Sequence, residues 1–257
     1  MLFRAPTTEL PNNIRMQSAD PNSFQSLRER NILSAAVELL QQKGSLAMRV
    51  LDIAREADIS VGTFYAHFES KEDLILAMMT EATRMRRRRL RTIYGLRELD
   101  SARQWIVGLF GNVLFAADHP GHFAAEDLAK TRSVWEGGSE GRIATLKVEL
   151  EELASCFRSK AAEALTNGHL ESWDNPVAQA DRLDETARYL MVGSTHVQQT
   201  QGLLEGSLPM ERSIPSALQT ATEALLKGFG WKEADPHETV QACVEMAMGL
   251  DPEQLMG

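Results

Sequence analysis

Apolar residues recur at the three- and four-residue spacing of α-helices along almost the whole chain. The pattern predicts a first helix from about residue 27 that ends before Gly44, a residue type that commonly follows a helix. A second, short helix follows in the stretch VLDIAREAD, and long helices are predicted over about residues 142–166, 178–202 and 216–229. The hydrophobic pattern therefore predicts an all-α protein.

The stretch ISVGTFYAHFESKEDLI predicts a third helix and the start of a fourth. Ser60 can cap the third helix, because its hydroxyl can accept a hydrogen bond from a backbone N–H of the first turn. Phe64 and Phe68 are four residues apart, so they share the face that packs on the preceding helices. The opposite face carries only small residues, Gly62 and Ala66, and can approach another surface closely.

Ser70 is predicted to cap the fourth helix, which begins with Lys71. The helix dipole disfavours a cation at this end of a helix, so we expect Lys71 to have an anionic partner. Three short helices, the last one small on its outer face and flanked by hydroxyls, describe a helix-turn-helix unit. In such a unit the last helix enters the major groove of DNA.

The segment LDIAREADISVGTFYAHFESKEDLI resembles the DNA-binding segment of TetR-type transcriptional regulators, over about residues 30–77. Several unusual features agree with that family at fixed spacing: Ile53-Ala54, Ser60, Gly62-Thr63, Tyr65, His67-Phe68 and Ser70-Lys71-Glu72. The resemblance implies an all-α fold, in which an N-terminal three-helix DNA-binding domain is followed by a helical domain for effector binding and dimerisation.

The resemblance also implies which residues bind DNA, while Phe64 and Phe68 hold the fold. Two positions depart from the family. Arg49 stands where the family commonly has threonines before the second helix, and its charge would contact a phosphate. Val61 is apolar where the family often has a polar residue, and it either contacts a thymine methyl group or packs within the protein. The expected DNA-binding residues are Arg49, Ser60, Val61, Gly62, Thr63, Tyr65, Ala66, His67 and Lys71.

The net charge of −9 is unevenly distributed. Residues 24–91 hold 12 Lys and Arg against 9 Asp and Glu, whereas residues 92–257 hold 13 against 25. This asymmetry predicts different functions for the two parts of the chain. We expect a flexible arm over residues 1–23, where prolines and asparagines cluster, a DNA-binding domain with its connecting helix over residues 24–91, and an effector-binding and dimerisation domain over residues 92–257.

No apolar run is long enough to span a bilayer, and the N-terminus lacks the apolar segment of a secretory signal, so a cytoplasmic protein without a membrane partner is expected. Cys156 and Cys243 have no partner at metal-ligand or redox spacing and are expected to be buried thiols. No cofactor is expected.

Two polar clusters have competing interpretations. The arginine-rich run RMRRRRLR, residues 84–91, could bind nucleic acid, but it lies about 20 Å along the fourth helix from the DNA-facing start, so a solvated or acid-paired face is favoured. A second group could hold a metal because two of its members are four residues apart on a helix, although a turn before Pro120 explains the other two. This group is Asp118, His119, His122 and Glu126.

The acidic part also carries candidates for an effector cavity: Trp105, Leu109, Phe123, Trp135, Phe157 and His196. Aromatic residues at helical spacing belong to a core more often than to a ligand site, and a histidine on an apolar face is more often a core residue than a ligand contact. The group is therefore a hypothesis for the ligand-binding residues, beside the simpler interpretation as core.

The sequence has no glycine-rich phosphate loop after a strand and no nucleophile elbow, so no enzyme is predicted. The resemblance implies a repressor that binds double-stranded, pseudo-palindromic operator DNA as a homodimer and is released by a small hydrophobic effector. Residues 178–202 and 216–229 would form the dimer interface, where Gly193 and Ser194 allow close packing. The alternative is a DNA-binding architectural or adaptor protein without a small-molecule effector.

Overall fold

The structure, a computed structural model, describes residues 21–44, 48–206 and 210–256 of the chain. Most of the expected arm, residues 1–20, lies outside the described residues. The first helix begins at Pro21, so residues 21–23 of the expected arm are helical. Within the described ranges there is no β-strand, only an isolated bridge between Leu170 and Trp231. The predicted all-α class is confirmed.

Eleven α-helices and a terminal 3₁₀ turn make up the described chain. They are α1 (Pro21–Lys43), α2 (Val50–Glu56), α3 (Val61–His67), α4 (Lys71–Tyr94), α5 (Ser101–Asp118), α6 (Pro120–Ala129), α7 (Arg132–Gly137), α8 (Glu140–Thr166), α9 (Pro176–Glu205), α10 (Ser216–Gly228), α11 (Pro236–Gly249) and the turn Gln254–Met256.

The first three helices pack with the start of α4 around one apolar core, in which Ile32, Ile53, Phe64 and Phe68 are fully or almost fully buried. The predicted caps are present. The hydroxyl of Ser60 accepts from the backbone N–H of Thr63 at 2.9 Å. Local sequence signals therefore fix where α3 begins.

The larger part of the chain surrounds α5, which is buried along nearly its whole length. The ring of Trp105 packs against Trp231 at 5.7 Å and against Phe157 at 6.3 Å, centroid to centroid. Helix α11, for which the sequence suggested no role, covers another side of α5 and places Cys243 in the core. Cys243 is buried, as expected, and its burial raises the pKa of the thiol to about 12. Cys156, which was also expected to be buried, is only half-buried.

The two parts meet where α4 and α8 begin, and the caps of these helices face each other. Ser70, the N-cap of α4, donates its hydroxyl to the carbonyl of Gly137 at 2.7 Å. Ser139, the N-cap of α8, donates its hydroxyl to Asp73 at 2.7 Å and its backbone N–H to the same carboxylate oxygen at 3.0 Å. The helix predicted over about residues 142–166 begins two residues earlier, at Glu140, and only residues 138 and 139 separate α7 from α8.

The arginine-rich run on α4 is paired with acids from other helices, as the favoured interpretation predicted. Glu149 of α8 lies 2.7 Å from Arg84 and 3.1 Å from Arg87. Arg89, whose side chain is fully buried, pairs with the buried Asp118 at the end of α5. The run therefore holds α4 against α5 and α8.

The buried carboxylate of Asp73 is expected to be a main support of the domain junction. Replacing Asp73 with Ala removes the acceptor for two donors of Ser139, so the free energy of unfolding should fall by about 2–3 kcal/mol in a denaturant titration. The matched control is Glu140→Ala, which removes an exposed carboxylate from the first turn of α8 and should cost less than about 1 kcal/mol. Equal losses in the two variants would contradict this role.

Candidate DNA-binding and effector sites

The outer face of α3 is exposed, and most of its exposed residues are small. Ser60, Gly62 and Ala66 are exposed on it, together with Val61 and Tyr65, whose exposed fractions are 37% and 53%. The other face holds Phe64 and Phe68 in the core. This division follows from the four-residue spacing of the two phenylalanines, and it leaves a narrow helix face turned to solvent.

Three further expected contact residues are half-buried at the edges of this face. Thr63 has its hydroxyl 2.8 Å from that of Ser60. His67 has its Nδ1 buried without a hydrogen-bond partner, so that side of its ring points inward. Lys71 is the first residue of α4 and lies beyond the C-terminal end of α3.

Helix α2 contributes two exposed cations. Arg49 is its N-cap residue and lies 3.6 Å from Asp52, and Arg55 lies 3.9 Å from the same carboxylate. Their side chains are 82% and 76% exposed, so neither cation is held tightly. The sequence interpretation named Arg49 and missed Arg55, although helical spacing from the buried Ile53 and Ala54 places Arg55 outward.

A cavity of about 550 Å³ lies between α4, α5, α6, α8 and α9. Its apolar lining is Met79, Phe123, Leu150, Leu153, Ala154, Phe157, Met191 and Val192. Its polar lining is Thr83, Arg86, Asn112, Glu126, Lys130, Lys147, Glu151, Asp184, Arg188 and Thr195. The volume falls within the usual range for small-molecule sites.

The structure does not bring the six expected ligand residues together. Phe123 and Phe157 line this cavity, but the other four do not. Trp105 and Leu109 are fully buried in the core around α5. Trp135 packs against the core of the DNA-binding domain, where its Nε1 donates to a backbone carbonyl at 2.7 Å. His196 is exposed on α9 and does not line the cavity, so its interpretation as a core histidine is wrong for the single chain, while its ligand contact stays a prediction.

Ion pairs inside the cavity wall were not predicted. Arg86 donates two hydrogen bonds to Glu126, at 2.8 and 2.9 Å, and a third to the backbone carbonyl of Asn112 at 2.6 Å. Asp184 accepts from Arg188 at 2.6 Å; burial raises the pKa of this carboxyl, and Arg188 opposes that shift. The arginine-rich run and the candidate metal group contained Arg86 and Glu126, but nothing in the sequence paired them.

The acidic side chains of the candidate metal group form ion pairs with arginines. Asp118 pairs with Arg89 and with Arg212, and Glu126 with Arg86. Burial, followed by the nearby charge of Arg89, lowers the pKa of His119 to about 4. Among the residues that the structure describes, no group of three His, Cys, Asp or Glu side chains is placed to hold a metal ion.

One face of α9 is exposed although it is apolar. Tyr189, Val192, Val197, Leu203 and Leu204 are each more than half exposed on this helix. The outer side of α10 presents Lys227 and five small residues: Ser216, Ala217, Thr220, Ala224 and Gly228. We call these two surfaces together the α9–α10 face.

Comparison with known proteins gives a family for the N-terminal domain. Residues 32–78 match the family described as "Bacterial regulatory proteins, tetR family". The uncharacterized HTH-type transcriptional regulator YuxN of Bacillus subtilis is 30% identical over 138 residues, which cover 52% of this chain and 47% of that protein. The HTH-type transcriptional regulator BetI of Brucella anthropi is 38% identical over 61 residues, which cover 24% of this chain and 31% of BetI. The chain thus spans less than half the length of these relatives.

Solved structures share the fold over most of the chain. The TetR family protein CprB of S. coelicolor A3(2) superimposes with a TM-score of 0.59 at 18% identity, covering 88% of this chain and 99% of CprB. A gamma-butyrolactone receptor described as ArpA-like gives 0.55 at 18% identity, with 87% and 99% covered. AmtR of Mycobacterium smegmatis gives 0.53 at 18% identity, with 95% and 100% covered.

These comparisons define the class of residues 32–78, which is the helix-turn-helix domain of transcriptional regulators. Residues 32–78 match the N-terminal domain of TetR-type regulators, and the all-α fold of the chain is shared with TetR-family structures. No helix in the described ranges is both long and apolar enough to cross a membrane.

Proposed function

We propose that the protein is a ligand-responsive repressor, which binds a pseudo-palindromic operator in the cytoplasm as a homodimer and is released by a small hydrophobic effector. The exposed, narrow face of α3 carries the proposal. A helix that presents Gly62 and Ala66 to solvent, above a core of phenylalanines, can lie deep in a major groove.

The surroundings of α3 divide the DNA contacts into two kinds. Val61 and Tyr65 are exposed on the groove-facing side and can touch base edges or a thymine methyl. Arg49, Arg55 and Lys71 flank that side and offer charges that suit phosphates. His67, with one ring nitrogen turned inward, contributes less to this surface than the sequence suggested.

The α9–α10 face supports a homodimer. Contiguous apolar side chains on a soluble helix call for a partner, and the small residues of α10 allow a second helix to pack closely. A single helix-turn-helix reads few base pairs, so two copies related by a two-fold axis are needed for useful affinity in a genome. We therefore place the second copy on the α9–α10 face.

The cavity of about 550 Å³ supports an apolar effector. Its buried charges are already paired within the wall, Arg86 with Glu126 and Asp184 with Arg188, so a ligand need not carry a compensating charge. Most of the remaining wall is aliphatic and aromatic, and the other charged residues, Lys130, Lys147 and Glu151, are exposed. Met79, Thr83 and Arg86 belong to α4, whose first residue adjoins the DNA-binding surface, so a ligand here acts directly on that helix.

Substitutions on the DNA-facing surface should distinguish residues that contact phosphates from residues that contact bases. Lys71→Ala should weaken binding to all DNA sequences by a similar factor. It should also reduce the slope of the logarithm of the binding constant against the logarithm of the salt concentration by about one. Thr63→Ala or Tyr65→Phe should instead lower the ratio of specific to non-specific binding, by roughly fivefold for a lost hydrogen bond of about 1 kcal/mol. Fluorescence anisotropy at several salt concentrations, on fragments recovered by genomic pull-down, measures both quantities.

Thr92→Ala is the control for these variants, because Thr92 is an exposed threonine near the other end of α4. It should leave affinity and specificity unchanged. Wild-type binding in all of the α3 and Lys71 variants would show that α3 is not the recognition helix.

A substitution of Gly193 tests the proposed dimer. A Cβ at this position meets no atom of the same chain within 4 Å, so Gly193→Leu should fold normally and gain some helix stability. The added side chain should nevertheless obstruct the second copy and shift the protein toward monomer in sedimentation velocity at micromolar concentration. Gly141→Leu, at an equally open glycine on α8, should stay dimeric. A monomeric wild type would refute the assembly.

Effector and operator binding should oppose each other equally, since linkage is reciprocal. We expect a hydrophobic compound found by thermal-shift screening to bind more weakly, by roughly 5- to 150-fold, when operator is saturating. Ala154→Phe should fill the cavity and abolish this response while DNA binding persists; Ala144→Phe, at an exposed site on the same helix, should not. Equal calorimetric affinities with and without operator would favour an adaptor that lacks an effector.

A further inference from the structure

The wall of the proposed effector cavity contains a buried carboxyl group with an unused oxygen. This group belongs to Asp184 of α9, which is 4% exposed and lines the cavity. Both nearby cations contact the same oxygen, Oδ2: Arg188 donates to it at 2.6 Å, and Arg158 lies 3.7 Å from it. The other oxygen, Oδ1, accepts no hydrogen bond from the described residues, and protein atoms do not close it off. Asp184 Oδ1 is therefore an acceptor available to a molecule in the cavity.

The hydrogen-bond donors of the buried cavity wall are already engaged. The hydroxyls of Thr83 and Thr195 donate to backbone carbonyls, at 2.8 and 3.0 Å. The side-chain amide of Asn112 donates to another backbone carbonyl at 3.1 Å. The guanidinium nitrogens of Arg86 donate to Glu126 and Asn112. The described wall therefore offers a ligand an unused acceptor, whereas its buried donors are occupied.

The charge of Asp184 is offset within the protein, so its partner in the cavity need not be a cation. Burial raises the pKa of the Asp184 carboxyl, while the hydrogen bond and the charge of Arg188 oppose that shift. A ligand carboxylate would be repelled by Asp184 and would meet no unused donor in the buried part of the described wall. A ligand ammonium would bring an uncompensated charge into a mostly apolar space. A neutral hydroxyl group avoids both costs and supplies the missing donor.

We propose that the effector is a neutral, apolar molecule with a hydroxyl group, which donates a hydrogen bond to Asp184 Oδ1. This inference rests on the proposed function, because it assigns a ligand class to the same cavity. The rings of Phe123 and Phe157 in the cavity wall suit an aromatic body, so the class includes phenols. A hydrogen bond to a carboxylate is stronger than one between neutral groups, so Asp184 would determine the specificity of the cavity.

The position of Asp184 gives this contact a structural consequence. Asp184 belongs to α9, the helix that carries most of the exposed apolar residues of the α9–α10 face. The facing wall of the cavity includes Met79 and Thr83 of α4. A molecule that is anchored at Asp184 and packed against Met79 would join the helix of the proposed dimer face to the helix that follows α3.

Two probes that differ in the hydrogen-bond donor test the proposal: 2-naphthol and its methyl ether, 2-methoxynaphthalene. Their binding to the full chain is followed by the anisotropy of the naphthalene fluorescence, excited beyond the tryptophan absorption. The wild type should bind 2-naphthol roughly tenfold or more tightly than the ether, because the ether cannot donate the hydrogen bond to a charged group. The ether is the more apolar compound, so burial of apolar surface alone would favour it instead.

The variant Asp184→Ala should bind the two probes with affinities that agree within about twofold, because the acceptor is gone. The ratio of the two affinities is the readout, since a change in cavity size affects both probes alike. Arg188 loses its partner in this variant, but its side chain is 58% exposed and can be solvated. Glu151→Ala is the matched control, because it removes an exposed carboxylate that lines the same cavity. It should keep the wild-type preference for 2-naphthol.

The proposal would be overturned by a wild type that fails to bind 2-naphthol or binds the ether as tightly. An unchanged preference in Asp184→Ala would also overturn it, as would binding of 2-naphthol that persists in Ala154→Phe, whose added ring fills the cavity. The first comparison needs only the wild type, so it decides the proposal even if Asp184→Ala does not fold. The proposed function fails separately, because the competition between operator and a screened compound decides it whether or not that compound has a hydroxyl group.

Discussion

The carboxylate of Asp73 is the contact on which the relation between the two domains depends. It is almost fully buried, and it accepts from both donors of Ser139, the residue that caps α8. Arg142 adds a positive charge at 3.6 Å and carries the contact on to α1. A buried carboxylate is stable only when its acceptor sites are filled, so the starts of α4 and α8 cannot move apart without a large cost.

This constraint determines how a signal can travel. The N-terminal end of α4 is held at the junction, and its middle is held by arginines that pair with acids of α5, α6 and α8. A helix tied in this way moves as a rigid body with its surroundings rather than by unwinding locally. A ligand between α4 and α8 would therefore act on α3 by tilting α4.

Sequence reasoning succeeded where the determinants are local. The caps at Ser60 and Ser70, the end of α1 at Gly44 and the inward phenylalanines of α3 all depend on residues within one turn of each other, and the structure has each of them. The expectation of a solvated or acid-paired face for the arginine-rich run came from distance along a helix, which is also a local quantity.

Sequence reasoning failed where the determinants come from distant helices. Trp105 and Phe157 have the same chemistry and similar helical patterns, yet only Phe157 lines the large cavity. The difference lies in the packing of α5 against α9 and α11, which no spacing within α5 reveals. The exposure of His196 has a related cause, because an apolar helix face looks the same in sequence whether it meets the chain's own core or a second chain.

The far end of α4 shows why the C-terminal part of the chain belongs to the same mechanical unit. Arg212 lies 2.7 Å from the buried Asp118, which also pairs with Arg89 of α4, and it donates to backbone carbonyls at the end of α11. Leu255, in the terminal 3₁₀ turn, is buried against α4. The segment before α10 and the C-terminal helix are thereby joined to the helix that leads to the DNA-binding domain. In the proposed dimer, a shift of the α9–α10 face would be transmitted to α4 through this buried charge cluster as well as through the cavity wall.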